Sequence, residues 1–259
     1  MNSHFVINHI VNWLANYLSQ SYSKGFVVGV SGGIDSAVTS TLAAKTGFPV
    51  LVLDMPIHQP ADQQIRAIEH INWLKSNFEN VQSFSVDLTA SFDLFSQAIP
   101  KEIINENNFL ALANTRSRLR MVTLYHFATM YKYLVTGTGN KVEDFGVGFY
   151  TKYGDGGVDI SPIADLLKTE VFALAKELHI IQSIQEAAPT DGLWEDNRSD
   201  EDQIGATYAE LEWAMEIQGK INQTQLNERQ KEVLAIYEKF NKAAQHKMNP
   251  IPVCLIPKS

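Results

Sequence analysis

Between Phe26 and Lys45 a strand, a double-glycine turn and a helix follow one another without a break. The apolar run Phe26-Val27-Val28-Gly29-Val30 leads into Ser31-Gly32-Gly33-Ile34-Asp35-Ser36, and Ala37 to Lys45 is helical in character. Two glycines let backbone pack closely against a ligand, and the helix start adds unpaired N–H donors and the positive end of its dipole. Such a turn suits phosphate. It lacks the Lys-Ser/Thr pair that ends a Walker loop and instead places a carboxylate, Asp35, among the anionic oxygens. A carboxylate beside phosphate needs a cation between them, which makes Asp35 a candidate magnesium ligand. The plainer reading makes Asp35 or Ser36 an ordinary helix N-cap. It accounts for one residue, and not for Ser31 and both glycines at the carboxyl end of a strand, where open α/β sheets bind ligands.

The neighbouring segments extend this unit into a sheet. Pro49 to Pro56 reads as a second, nearly all-apolar strand, a helix follows from about Ala61 to Asn77, and Val81 to Asp87 reads as a third strand. The β-α-β-α-β order predicts an α/β fold, a doubly wound, mostly parallel sheet covered on both faces. Ile65, Ile68, Ile71, Trp73 and Leu74 give the helix its apolar spacing, as Phe5, Ile10, Trp13, Leu14, Tyr17 and Leu18 do for a first helix. Further on, the pattern predicts a short helix from Thr89 to Ala98, a long one ending near Lys132, and a fourth strand at Tyr133 to Thr136. The glycine-rich passage from Gly137 to Gly157 is a loop of the functional kind. Helices are then expected at about Leu167–Leu178, Glu201–Gln218 and Gln225–Ala244. Ile204, Tyr208, Leu211 and Met215 form a stripe that reads as core or interface, and Pro250 and Pro252 stop the last helix. We expect one domain over residues 1–259, with a core at about 20–190 and a helical C-terminal extension at about 195–259.

A chain of 259 residues can bury a full core. Its formal charge of −8, with no run of lysines or arginines, makes nucleic acid an unsuitable partner. Cys254 is the only cysteine, so no intrachain disulfide, zinc knuckle or Cys-x-x-Cys pair can form, and a reducing cytoplasm fits. The first 20 residues carry Asn2, Asn8, Asn12 and Asn16 and show no basic start or cleavage site, and no segment is apolar for long enough to span a bilayer.

Three downstream segments narrow the reading. Asn114-Thr115-Arg116-Ser117-Arg118-Leu119-Arg120-Met121, Gly137-Thr138-Gly139-Asn140-Lys141-Val142-Glu143 and Thr151-Lys152-Tyr153-Gly154-Asp155-Gly156-Gly157-Val158-Asp159 accompany the glycine turn. The turn resembles the Ser-Gly-Gly-x-Asp-Ser pyrophosphate loop of the N-type ATP pyrophosphatases. The three segments resemble Asn-x-x-Ala-Arg-x-Arg-Met, Gly-Thr-x-x-x-x-Glu and Thr-Lys-Tyr-Gly-Asp-Gly-x-x-Asp of the ammonia-dependent NAD synthetases, with Ser117 standing for the usual alanine. Pro162 to Lys168, Pro189-Thr190, Asp200-Glu201 with Gly205 and Tyr208, and His246-Lys247 extend the resemblance from about Phe26 to Lys247.

The resemblance implies a two-step ligase. The nicotinate carboxylate of deamido-NAD attacks the α-phosphate of ATP, and ammonia then displaces AMP to leave the amide of NAD. It implies Mg2+ held by Asp35 and Glu143, and ATP contacts from Ser31, Gly32, Gly33, Asp35, Ser36, Thr138, Lys168 and Thr190. Arg118, Lys152, Asp155, Asp159, His246 and Lys247 would bind deamido-NAD, with Asp35, Asp155 and Lys168 as catalytic groups. Helical spacing itself places Arg118 on a stripe with Asn114, Met121, Val122 and Tyr125, where an arginine calls for an anion. Arg116 and Arg120 fall on another stripe, where structural salt bridges are expected. The family also implies a homodimer with substrate sites at the interface. Cys254, in a proline-flanked tail, is a poor nucleophile for glutamine hydrolysis, so free ammonia or a separate glutaminase partner is implied.

Asp54 departs from the pattern, standing where many members carry arginine, and leaves the adenosine contacts of the second strand open. The rival expectations are another N-type ATP pyrophosphatase with a different acceptor, and a non-catalytic ATP-binding module. Asp35 and Glu143 together argue against the module, because binding alone does not need two metal carboxylates.

Overall fold

The computed structural model describes residues 1–188, 199–220 and 226–257. The elements in chain order are α1 (Ser3–Gln20), β1 (Gly25–Gly29), α2 (Ile34–Lys45), β2 (Val50–Asp54), α3 (Ala61–Asn77), β3 (Val81–Ser85), α4 (Thr89–Ala98), α5 (Asn108–Tyr131) and β4 (Tyr133–Val135). A 3-10 turn (Lys101–Ile103) separates α4 from α5, and among the described residues a π-helical turn (Val142–Val147), α6 (Lys168–Glu177), α7 (Gln182–Gln185), α8 (Asp200–Ile204), α9 (Tyr208–Ile217) and α10 (Glu228–Met248) follow β4. Among the described residues all strand pairings are parallel, in the order β3-β2-β1-β4. The chain therefore reverses its direction of winding between β1 and β4. That is where such sheets open a crevice for ligands, and it sets the loops after β1 and β4 side by side.

Strand alternation divides the core. Phe26, Val28, Val50 and Val52 face Leu14, Leu42 and Leu174 on one side, while Val27, Leu51, Leu53 and Val135 face Phe92 and Ala128 on the other. The first side is covered by α1, α2 and α6, the second by α4 and α5. A separate apolar cluster holds the C-terminal extension: Tyr208 and Leu211 of α9 and Val233 and Tyr237 of α10 pack on Val142 and Val147 of the π-helical turn. Asn241 of α10 donates to the Gly146 carbonyl at 2.7 Å. The extension is thus built onto the loop that follows β4. Among the described residues no helix is long and apolar enough to cross a membrane.

Three expectations shift. The single helix expected at Glu201–Gln218 is two, because Gly205 ends α8 and Thr207 opens α9 by accepting from the Glu210 N–H at 3.2 Å while Glu210 accepts from Thr207 N–H. On α1, Phe5, Trp13 and Tyr17 are exposed, and Ile7 joins Ile10, Leu14 and Leu18 in the core. On α3, Ile65 and Ile68 are exposed, whereas Gln63 and His70 are buried with Ala67, Ile71 and Leu74.

His70 has no exposed surface, its Nε2 lies 3.0 Å from Ser40 Oγ, and burial pushes its pKa down to about 4. Folded His70 therefore stays neutral while the unfolded chain takes up a proton below about pH 6.5. The stability it confers is full above that value and is lost as pH falls towards 4. Between pH 7.5 and 5.5 we expect a loss on the order of 1–1.5 kcal/mol from this group. Urea unfolding of the native chain and of His70→Gln at both pH values measures it. An equal pH response in both would contradict the assignment.

Candidate active site

The crevice is a cavity of about 690 Å³ entered at the carboxyl ends of the strands, and Ser31 to Ser36 form part of its wall. Ser31 and Ser36 shape this turn from within. Ser36 Oγ donates to the Gly33 carbonyl at 2.9 Å and accepts from Ser31 N–H at 3.2 Å, while Ser31 Oγ accepts from Gly33 N–H at 3.3 Å. Gly33 is the N-cap of α2 and no side chain caps the helix, so its first N–H groups remain open to an anion. The simple N-cap role for Asp35 or Ser36 is thereby set aside. Both lie inside the first turn of α2.

Across the crevice, Lys168 at the start of α6 joins the two loops. Its Nζ donates to Asp35 Oδ2 at 2.5 Å and to Glu143 Oε1 at 3.0 Å, and it sits 4.7 Å from the centre of the Tyr208 ring. Lys168 is only 4 % exposed, so this ion pair is shielded from water. Burial pushes the Asp35 carboxyl up, and the nearby Glu143 charge adds to it, more than Lys168 and Asn140 lower it. Burial also raises Glu143, but there Lys168 and hydrogen bonds from Tyr208, Lys168 and Asn140 prevail and hold it below the usual range. Burial depresses Lys168, yet Asp35 and Glu143 outweigh it and keep the ammonium protonated.

Other groups of this centre, Tyr208 and Asn140 among the matched segments, are given no site role by the sequence. Tyr208 donates to Glu143 Oε1 at 2.6 Å, so the stripe expected to be plain core also carries an active-site hydroxyl. Asn140 accepts from Val142 and Glu143 N–H, each at 3.1 Å, and donates to Asp35 Oδ1 at 3.1 Å. It fixes the turn and aims the carboxylate at once. Asp144 borders the cavity above Gly139, where a Cβ would lie 2.2 Å from its carboxylate. Burial, then the charges of Glu143, Asp155 and Asp35, push the Asp144 carboxyl up to about 8.

The glycine-rich loop places Asp155 in the wall. Its Oδ1 accepts from Ser117 Oγ at 2.6 Å and from Thr151 N–H at 3.0 Å, and Ser117 accepts in return from Asp155 N–H at 2.8 Å. Burial raises this carboxyl, partly offset by the bonds from Ser117 and Thr151. Thr138 and Lys247 also line the cavity, Lys247 donating to the carbonyls of Gly148 and Tyr150 at 2.5 and 2.7 Å.

The remaining candidates lie elsewhere. Arg118 is exposed, outside the wall, and donates to the Lys152 carbonyl at 3.4 Å. The arginine of that segment that enters the cavity is Arg120, bonded to the Met55 carbonyl at 3.0 Å and to Gln59 Oε1 at 2.8 Å. Neither bond is the salt bridge expected for it, and the Arg116 guanidinium stands 4.9 Å over the Phe92 ring. Lys152 donates to the His246 carbonyl. Asp159 accepts from Tyr125 and from Val135 N–H at 3.0 and 2.8 Å, which ties the loop to β4. Asp54, buried at the end of β2, accepts from Ser85 at 3.0 Å and lines the cavity. Thr190 lies outside the described residues.

Asp35 and Glu143 converge on one cation and offer hard oxygen donors. Among the described residues no group of three or more His, Cys, Asp or Glu forms a metal site by itself. Two carboxylates completed by phosphate oxygens are the usual magnesium arrangement, and the donor set fits it.

The sequence matches a family model described as NAD synthase over residues 6–250. Among curated proteins, an NH(3)-dependent NAD(+) synthetase of Carboxydothermus hydrogenoformans is 41 % identical over 137 residues, 53 % of this chain and 56 % of that protein. The matched stretch thus spans about half the length of that relative. A protein of the same description from Mycoplasma genitalium is 36 % identical over 197 residues, 73 % of this chain and 75 % of its own length. Among solved structures, one titled as NMN synthetase from Francisella tularensis superposes with a TM-score of 0.84 and 31 % identity, covering 100 % of both chains.

Proposed function

Because the chain belongs to the NAD synthase family, we propose that it is an ATP-dependent amide ligase, converting deamido-NAD and ammonia to NAD with release of AMP and pyrophosphate. The observation that carries this reading is the buried Lys168 ammonium held between Asp35 and Glu143, one carboxylate from the pyrophosphate loop and one from the loop after β4. Attack by an anion on a polyanion needs positive charge where charge develops. Mg2+ held by Asp35 and Glu143 supplies that neutralisation.

In the first step an oxygen of the nicotinate carboxylate bonds to the α-phosphorus and the bond to pyrophosphate breaks. Lys168 and the open N–H groups of α2 hold the departing oxygens, with Thr138 and Thr190 on the nucleotide. In the second, ammonia nitrogen bonds to the carbonyl carbon, the bond to AMP breaks, and Asp155 takes the proton that nitrogen sheds. Lys152, Asp159, His246, Lys247 and Arg118 serve the acceptor or the loop that covers it. A homodimer in the cytoplasm, supplied with free ammonia, completes the proposal.

A second reading concerns the acceptor. The Francisella tularensis structure, matched over the whole of both chains, is titled as NMN synthetase. Under that reading the substrate is the mononucleotide, with the same carboxylate chemistry. Product analysis decides between them. The protein is mixed with ATP, magnesium and ammonium, with deamido-NAD in one tube and nicotinic acid mononucleotide in another. NAD and AMP in equal amounts from the first tube are expected, and faster amidation of the mononucleotide would transfer the assignment to the second reading. Binding of ATP with no amide from either acceptor would overturn both.

A further inference from the structure

Helix α5 grips the glycine-rich loop through Asn114 and Ser117, which lie one turn apart on it. Asn114 Oδ1 accepts from Thr151 Oγ1 at 2.6 Å, a tie that does not touch the Asp155 carboxylate. Ser117 is placed differently. Its Oγ donates to Asp155 Oδ1 at 2.6 Å and accepts from Asp155 N–H at 2.8 Å, so one hydroxyl holds the carboxylate and its main chain together. The loop is shaped to admit that hydroxyl, since a Cβ on Gly154 would lie 2.4 Å from Ser117 Oγ. Ser117 stands where the motif its segment resembles has alanine, which can make neither bond.

These bonds give the carboxylate a direction. The Ser117 hydroxyl and Thr151 N–H both end on Oδ1. No hydrogen bond of the described residues engages Oδ2, and Asp155 lines the cavity. One oxygen is fixed and the other is left for a ligand. A donor on a carboxylate also favours its charged form. Burial raises the Asp155 carboxyl, and Ser117 is foremost among the groups that lower it again.

We propose that Ser117 is a positioning residue for amide formation, turning Asp155 so that Oδ2 meets the attacking nitrogen. The inference rests on the ligase reading. In it the ammonia nitrogen bonds to the carbonyl carbon, the electron pair of the broken bond leaves on the AMP phosphate oxygen, and Asp155 takes the proton that nitrogen sheds. Ser117 acts through Asp155, and the first step, which uses no proton acceptor, does not depend on it.

The test follows the two steps apart. Protein, ATP and magnesium are mixed with the acceptor that product analysis selects, and pyrophosphate release reports the first step. Ammonium is then added, and rapid quenching reports the second. In Ser117→Ala, pyrophosphate release should stay within about twofold of native, while amide formation should be about tenfold slower at pH 6.5, the effect of one lost bond to a charged group. That deficit should narrow to within about threefold at pH 8.5, where the carboxylate ionises without help from the hydroxyl. Glu143 and Asp144 of the π-helical turn, Tyr150, Arg120 of α5 and Lys247 of α10 also face Asp155. They and the ionisation of ammonia are common to both proteins, so the native-to-variant ratio isolates Ser117. Alanine is a better helix former than serine, so α5 keeps its fold. Asn114→Ala is the control for a loosened loop, and any deficit in it should not vary with pH. A native-to-Ser117→Ala ratio near one, or equal at both pH values, overturns the proposal, as does the same pH dependence in Asn114→Ala. Asp155→Asn sets apart a failure of the underlying reading. Amide formation at the native rate in that variant would remove Asp155 as proton acceptor, and no amide from the native chain would remove the ligase reading, each taking this inference with it.

Discussion

Lys168→Ala is expected to lower both the stability of the metal-free protein and the rate of amide formation. In the native chain the Lys168 ammonium is the cation that both Asp35 and Glu143 meet, at 2.5 and 3.0 Å. Removing one member of a buried ion pair typically costs roughly 3–5 kcal/mol, because the remaining charge keeps its desolvation penalty without its compensation. Here two like charges are left facing each other. Urea unfolding in the presence of a chelator should show a deficit of that order. Magnesium should restore part of it, since a divalent cation between the carboxylates replaces what was lost. The amide-forming rate should fall roughly 10²–10³-fold even with saturating magnesium, as expected when a preorganised positive group is withdrawn from developing charge. Unchanged stability in chelator would mean that the triad is not what balances the site.

Gly32→Ala should remove nucleotide binding by a different route. Gly32 has φ of +82°, where a side chain costs about 1–2 kcal/mol, and a Cβ there would lie 2.5 Å from the Gln63 carbonyl and 3.1 Å from Ala67 N. Both neighbours are backbone, so either the loop or the start of α3 must move. A displacement of about 1 Å in a positioning element can cost 10²-fold, and we expect a loss of that order in ATP affinity. Gly47→Ala supplies the control. Its φ of +77° imposes the same backbone penalty with nothing within 4 Å of the added carbon. ATP titration should separate the two variants even where their melting temperatures fall together. Equal ATP affinity in both would show that the tight fit of loop to α3 is immaterial.

The parts of this architecture that sequence disclosed are those written in consecutive residues. β1 and β2 read as strands because both of their faces are buried, leaving unbroken apolar runs. The pyrophosphate loop is legible because its groups lie within six residues and its chemistry needs all of them. The remainder depends on how distant segments meet. Tyr208 has the spacing of a core residue and is one, its ring being buried, while its hydroxyl reaches Glu143 from 65 positions away. On α3 the apolar spacing points to Ile65 and Ile68, yet the buried face includes Gln63 and His70, and helical periodicity does not count polar residues as interior. Arg118 and Arg120 have the same composition around them. Only the path of α5 along the sheet places Arg120 against the β2 end and Arg118 outside.

The attachment of the C-terminal extension to the turn bearing Glu143 has a consequence for the order in which the protein comes into being. Tyr208, Asn241 and Lys247 bond to Glu143, Gly146 and Gly148 across separations of 65, 95 and 99 residues. During synthesis the pyrophosphate loop and the sheet emerge first, and domains fold as units from the N-terminal side. The second carboxylate has Asn140 and Lys168 from the segments before the extension, and it acquires Tyr208 and the bonds that brace its turn only when α9 and α10 have left the ribosome. A nascent chain can shape a phosphate cradle and bring Asp35, Glu143 and Lys168 within reach early, but the Tyr208 hydroxyl and the bonds that brace the turn bearing Glu143 arrive only with α9 and α10.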